Sequence, residues 1–195
     1  VSPSHQTNQM LRIIDGLWTI GYKPTIVYNS NGYDSIETLK RLDGIVDVYL
    51  PDFKYFSNDI SLKYSGVSNY FDVASNALRE MYRQKGSTLL LDDDGLAESG
   101  IIIRHLVLPG LPDESIRILE NIAEEISPFL RISLMSQYYP THQVSGDKFL
   151  NRKLTVNEYS KVVKRFEELG FNGWIQDIES SDLYRPDFYR DTPFL

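Results

Sequence analysis

Asp52 and Lys54 stand two residues apart, directly after an apolar, β-rich run at 45–50. Residues two apart on a strand point to the same face. A carboxylate and an amine placed so can grip a zwitterion, or simply pair with each other at a sheet rim. Their position gives the pair its interest. In parallel α/β folds, ligands bind at the carboxyl ends of strands.

The elements that must position this pair can be read from periodicity. Apolar spacing predicts a helix over about 6–21, with Met10, Leu11, Ile14 and Leu17 on one stripe and Gly21 as its stop. A strand follows at 25–28, then the turn signature Asn29-Ser30-Asn31-Gly32. A short helix is expected over 35–42 with Asp34 as N-cap, then the strand at 45–50. The segment 60–85 reads as helical, broken near 66–69, with Phe71, Ala74, Leu78 and Met81 in register. Residues 89–97 look like a hairpin on an Asp-Gly turn and read as an insertion, about 87–100. The near-continuous apolar run 101–108 suits a strand covered on both faces. A helix over 112–126, a strand at 131–135, a polar loop at 141–153, a helix opened by the capping box Thr155/Glu158, and a short strand at 173–176 complete the pattern. The polar and aromatic tail 177–195 shows no period and is expected to lie over the surface. Alternating strand and helix predicts an α/β fold with a parallel sheet, either open or curled into a partial barrel. Val1 to His5 reads as the end of a strand, and the start at Val1 as mid-fold, so truncation is the expectation.

The predicted strand ends collect Ser2, Ser4 and His5; Asn29, Ser30 and Asn31; Asp52 and Lys54; Arg104 and His105; and Gln137 and Tyr138. This set suits a zwitterionic or anionic small molecule. Lys54 or Arg104 can hold a carboxylate, Asp52 an ammonium or ribose hydroxyl, and Tyr138 can pack on a ring. Arg104 within an apolar strand equally calls for a buried partner. His105, its neighbour, points to the opposite face and reads as structural, while His142 lies in a polar loop. No histidine pair has metal-ligand spacing. Asp92-Asp93-Asp94 is consecutive, whereas a calcium loop alternates its ligands. Glycine-rich phosphate loops are absent.

Composition narrows the classes. The 195 residues carry a net charge of −7, which argues against nucleic acid or an anionic membrane as partner. No apolar run is long enough to span a bilayer and no signal peptide is visible, so a cytoplasmic setting is expected. The sequence contains no cysteine, which removes thiolate chemistry and cysteine-ligated clusters from these residues.

Four segments in register carry a resemblance: Tyr28-Asn29-Ser30-Asn31-Gly32, Asp47-Val48-Tyr49-Leu50-Pro51-Asp52-Phe53-Lys54, Tyr64-Ser65-Gly66-Val67-Ser68-Asn69 and Ile103-Arg104-His105-Leu106-Val107-Leu108-Pro109-Gly110. Over about residues 1–140 the chain resembles radical SAM enzymes of the pyruvate formate-lyase-activating type. The resemblance implies a partial (β/α)6, TIM-like barrel. It implies a [4Fe–4S] cluster on a CxxxCxxC loop and reductive cleavage of S-adenosylmethionine, with hydrogen taken from a glycine of a partner enzyme or from a small-molecule target. It places Ser30, Asp52 and Lys54 at the methionyl and ribose parts of the cofactor. Arg104 matches a basic residue of the fifth strand, and Tyr138 falls near a cofactor-contacting histidine of the last. Asn31 belongs to the same set, as do Ser2 and Ser4, which stand where the family has a Gly-Gly-Glu-Pro type motif. Here that motif reads Ser2-Pro3-Ser4-His5, and the cluster cysteines are lacking, so the chain alone is expected to be inactive. An exposed edge near Ile26 invites self-association. Two other classes fit the residues: a Schiff-base, aldolase-like barrel using Lys54, and a non-catalytic binding or scaffold module.

Overall fold

A computed structural model describes residues 3–178. The strands are β1 (Val27–Ser30), β2 (Val48–Pro51), β3 (Leu90–Leu91), β4 (Ala97–Leu106), β5 (Arg131–Met135) and β6 (Asn172–Ile175). The helices are α1 (Thr7–Thr19), α2 (Ile36–Arg41), α3 (Asn58–Ser65), α4 (Tyr70–Lys85), α5 (Pro112–Glu125) and α6 (Val156–Glu168). The sheet runs β1-β2-β4-β5-β6, every neighbouring pair parallel, and β3 adds antiparallel to β4.

This order decides between the two sheet types that the sequence leaves open. Strand position never reverses along the chain. Parallel crossovers are right-handed, so an order that always advances puts every crossover helix on the same side. The result is an α/β sheet that does not close, a partial TIM-like barrel rather than a doubly wound sheet. Burial follows. Tyr28, Tyr49, Ile101, Ile103, His105, Ile132 and Leu134 are buried, whereas Ile102, Arg104, Leu106, Ser133 and Met135, which alternate with them, are only half-buried. Helices supply the other half of the core through Leu39, Ala74, Leu78, Met81, Ile118, Ile122, Val162 and Phe166.

Local chemistry sets several boundaries. The hairpin turns on Asp92, whose Oδ1 accepts from the amides of Asp94 and Leu96. Helix α6 opens on the capping box of Thr155 and Glu158. Three sequence expectations are corrected. Residues 3–6 form a 3-10 turn leading into α1, not a strand end, with the Thr7 hydroxyl donating to the Ser4 carbonyl. Pro3 has no N–H to give to a strand ladder. Helix α2 is capped by Ser35, which accepts from the Thr38 amide, while Asp34 is buried beneath it. The strands β1 and β2 end one or two residues later than their apolar runs, because polar Asn29 and Ser30 pair with Leu50 and Pro51. Of the tail, 179–195 lies outside the described residues.

The long connection from β5 to α6 is held by two carboxylates. Glu158 takes a two-pronged pair from Arg152 at 2.7 and 2.8 Å, the Gly110 amide at 2.7 Å and the Thr155 amide at 3.0 Å. Gly110 has φ +74, and a Cβ there would sit 2.3 Å from the Phe149 ring, so this contact needs glycine. Asp147 accepts from the amides of Phe149 and Leu150 and from the Tyr64 hydroxyl, and pairs with Lys63 at 2.5 Å. Hydrogen bonds from Arg152 hold the Glu158 carboxyl well below the usual range, and those from Lys63 and the Leu150 amide do the same for Asp147. A depressed carboxylate stabilises the fold above its unfolded value, about 4.3 for glutamate, and that stabilisation is lost as pH falls through the folded one. Glu158→Gln should therefore cost ~1–2 kcal/mol at neutral pH, the scale of a lost cap and charged hydrogen bonds. Urea unfolding across pH should show the gap to wild type closing below about pH 4.

Candidate functional site

The strand ends of β2 and β4 meet at an isolated parallel bridge between Asp52 and Arg104. The Asp52 carboxylate lies between two cations, 2.6 Å from the Arg104 guanidinium and 3.2 Å from the Lys54 ammonium. It is largely shielded at 17% exposure, whereas Arg104 and Lys54 keep 30% and 40%. One negative and two positive groups leave a net positive charge, and Arg104 Nε is a buried donor without a hydrogen-bond partner among the described residues. Beside this cluster is a cavity of about 290 Å³, lined by Asp52, Lys54, Tyr55, Arg104, Leu106, Leu108, Met135 and Gln137. The arrangement can take the anionic head of a small molecule against its cations and an apolar body against Leu106, Leu108 and Met135.

The backbone under these side chains is fixed atom by atom. The Asp52 amide donates to the Ser30 carbonyl and the Phe53 amide to the Arg104 carbonyl, both at 2.9 Å. The Tyr70 hydroxyl shares its proton between the carbonyls of Asn31 and Asp52, at 2.8 and 3.0 Å, and accepts from the Lys54 amide at 3.1 Å. Burial pushes the Tyr70 phenol far up, so it remains a neutral hydroxyl able to do both. The Phe53 carbonyl lies 2.6 Å from His105 Nδ1. Farther on, the carboxylate of Glu114, in the first turn of α5, takes the amides of Phe56 and Ser57 together with the Ser57 hydroxyl. Gly32, at φ +77, lies so close that a Cβ would fall 2.1 Å from the Asp52 carbonyl oxygen.

Of the residues singled out in the sequence, Asp52, Lys54, Arg104 and Gln137 come together on the cavity. Ser30 is buried, its hydroxyl donating to Asp34 at 2.6 Å and accepting from the Gly32 amide. Tyr28 donates to the other oxygen of Asp34, completing a polar knot under the 29–32 turn. Asn31 uses its side-chain oxygen on the Tyr33 amide. Tyr138 gives its hydroxyl to the Leu150 carbonyl at 2.7 Å. Ser4 is in the 3-10 turn, and Ser2 lies outside the described residues. None of Ser4, Ser30, Asn31 and Tyr138 lines the cavity. Lys54 is half-exposed and ion-paired, not desolvated in an apolar pocket as an activated Schiff-base lysine would be. Among the described residues, no three histidine, aspartate or glutamate side chains gather as a metal site.

Sequence reasoning missed Tyr70, which holds the site from outside it, and Leu106 and Met135. The last two could have been found by alternation, since each lies two positions beyond a half-buried polar residue, Arg104 or Ser133, on its strand.

No family model matches the chain. An uncharacterised protein of Methanocaldococcus jannaschii is 32% identical over 163 residues, covering 83% of this chain and 44% of the relative. The chain thus spans less than half the length of the curated relative it matches. The crystal structure of a domain of a pyruvate-formate lyase-activating enzyme from Bacteroides vulgatus superposes with a TM-score of 0.63. The match covers 91% of this chain and 95% of that one at 14% identity, a likeness of fold.

Removing the Tyr70 hydroxyl isolates its role. Tyr70→Phe keeps the ring, which packs edge-on to Phe53 and Tyr55. It should retain the fold while costing ~1–2 kcal/mol for the two carbonyls and the amide that lose this partner. Amide hydrogen exchange should quicken at Lys54 more than at core positions such as Ile103. Equal exchange at both would refute this role.

Proposed function

We propose that this chain forms the S-adenosylmethionine-holding part of a radical SAM enzyme of the glycyl-radical-activating type. The observation that carries the reading is the Asp52–Arg104–Lys54 cluster at adjoining parallel strand ends, beside a cavity with apolar walls. The likeness of fold to an activating-enzyme domain supports it.

The residues fit the methionyl and nucleoside character of that cofactor. Arg104 and Lys54 retain donors for a carboxylate, and Asp52 holds both cations in place so that their positions are set before binding. Met135, Leu106 and Leu108 give an apolar wall, and Gln137 offers an amide at the rim. What the cofactor supplies when bound is a source of a hydrogen-abstracting radical, with a protein glycine or a small molecule as target. The residues do not fit an iron–sulfur cluster, because the sequence has no cysteine to ligate one. A reaction step through a cluster is therefore not assigned to this chain.

Binding can be tested without a cluster. In ¹⁵N-labelled chain titrated with S-adenosylmethionine, amide signals of Asp52, Lys54, Arg104 and Gln137 should shift in a saturable way. Arg104→Gln should weaken the apparent affinity by about tenfold, the worth of one charge-assisted hydrogen bond. Absence of any shift at these positions up to millimolar ligand, or shifts indifferent to Arg104→Gln, would overturn the proposal.

A further inference from the structure

His105 is among the most enclosed polar residues of the protein, with 1% of its surface accessible. It follows Arg104 on β4 but faces the helix side of the sheet, so it cannot touch a ligand on the cavity side. Even so, its ring reaches the cavity-forming segment through the backbone. Nδ1 lies 2.6 Å from the carbonyl oxygen of Phe53, the residue between Asp52 and Lys54. A carbonyl only accepts, so Nδ1 must carry the proton. Nε2 is buried with no hydrogen-bond partner among the described residues. A proton there would strand a buried charge, which fixes the ring as the neutral Nδ1–H form. Burial pushes the imidazole down, and the hydrogen bond to the Phe53 carbonyl and the Asp52 charge oppose this without outweighing it.

The backbone of Phe53 is thus held on both sides by consecutive residues of β4: its amide by the Arg104 carbonyl and its carbonyl by the His105 ring. Arg104 at the same time pairs with Asp52 by its side chain. One dipeptide therefore supplies a cation to the cavity and, behind the sheet, the donor that sets where the opposing carboxylate and amine stand.

We infer that His105 is a positioning residue of this site: its Nδ1–H fixes the Phe53 carbonyl and so helps set the spacing of Asp52 and Lys54 against Arg104. The inference rests on reading this cavity as the ligand site, but its geometric part stands apart from the ligand's identity. Histidine is required for reach and for neutrality. An arginine or lysine would bring a charge into an enclosed apolar space, and a leucine would leave the carbonyl unpaired. Asparagine can place its Nδ2 near the position of Nδ1 and keep one donor.

Long-range ¹H–¹⁵N spectra of the full chain labelled in histidine test the first step. The His105 ring should show the Nδ1–H neutral pattern, unchanged between pH 5.5 and 8. The Nε2–H tautomer, or titration in that range, would overturn the inference even if no variant folds. In the second step, His105→Leu should displace the amide signals of Phe53 and Lys54 and weaken S-adenosylmethionine by about tenfold. His105→Asn should return both most of the way. Equal disturbance by the two variants would show that bulk, not the donor, matters and would refute the proposal. If wild type binds no S-adenosylmethionine yet the tautomer and amide pattern hold, the ligand reading fails and the positioning role survives.

Discussion

The contact on which the site depends is the junction of β2 and β4 at Asp52 and Arg104. Two parallel strands are bridged there, and a carboxylate at the end of one meets a guanidinium on the other at 2.6 Å. An arginine on an apolar strand brings a desolvation cost that must be offset nearby, and Asp52 offsets it without neutralising the region, because Lys54 shares the same carboxylate. Surplus positive charge is thereby kept at the rim of a half-buried cavity. Removing Asp52 would leave two cations facing one another.

The fold delivers this junction through strand order. With every crossover on one side, the sheet has a covered face and an uncovered one, and alternate residues of β4 divide between them. Ile101, Ile103 and His105 enter the core, while Ile102, Arg104 and Leu106 face the other way. A single strand therefore builds the cavity and anchors it from behind. Tyr70 does the corresponding work from α4, joining the 29–32 turn to the 52–54 segment through one hydroxyl. Such arrangements cost little reorganisation on binding, since the backbone groups are already committed.

The outer frame uses buried or half-shielded carboxylates as fasteners. Glu114 holds the segment after β2 to α5, Asp147 ties the β5–α6 connection to α3, and Glu158 joins that connection to the turn after β4. Each accepts from two backbone amides. A carboxylate suits that place better than an amide side chain, because it accepts at both oxygens and strengthens each bond by charge.

Much of the fold was legible in the sequence because its elements are strongly local. The capping box at Thr155, the strand at Arg131–Met135 and the Asp-Gly hairpin are set by neighbours in the chain, and each stands where periodicity and turn chemistry put it. The Asp52–Lys54 pair was legible for the same reason, as was the placing of His105 and Arg104 on opposite faces of their strand. Tertiary structure alone decided the rest. Tyr70 serves residues 16 and 39 positions away, and His105 serves one 52 away, separations over which a sequence pattern carries no signal. Asp34 reads as a cap but is drawn under the 29–32 turn by Tyr28 and Ser30, because two hydroxyls offer a buried carboxylate more than one exposed amide does. Whether the sheet reverses or advances was likewise hidden, since strand order is fixed by which strands pair, and pairing depends on contacts between distant segments.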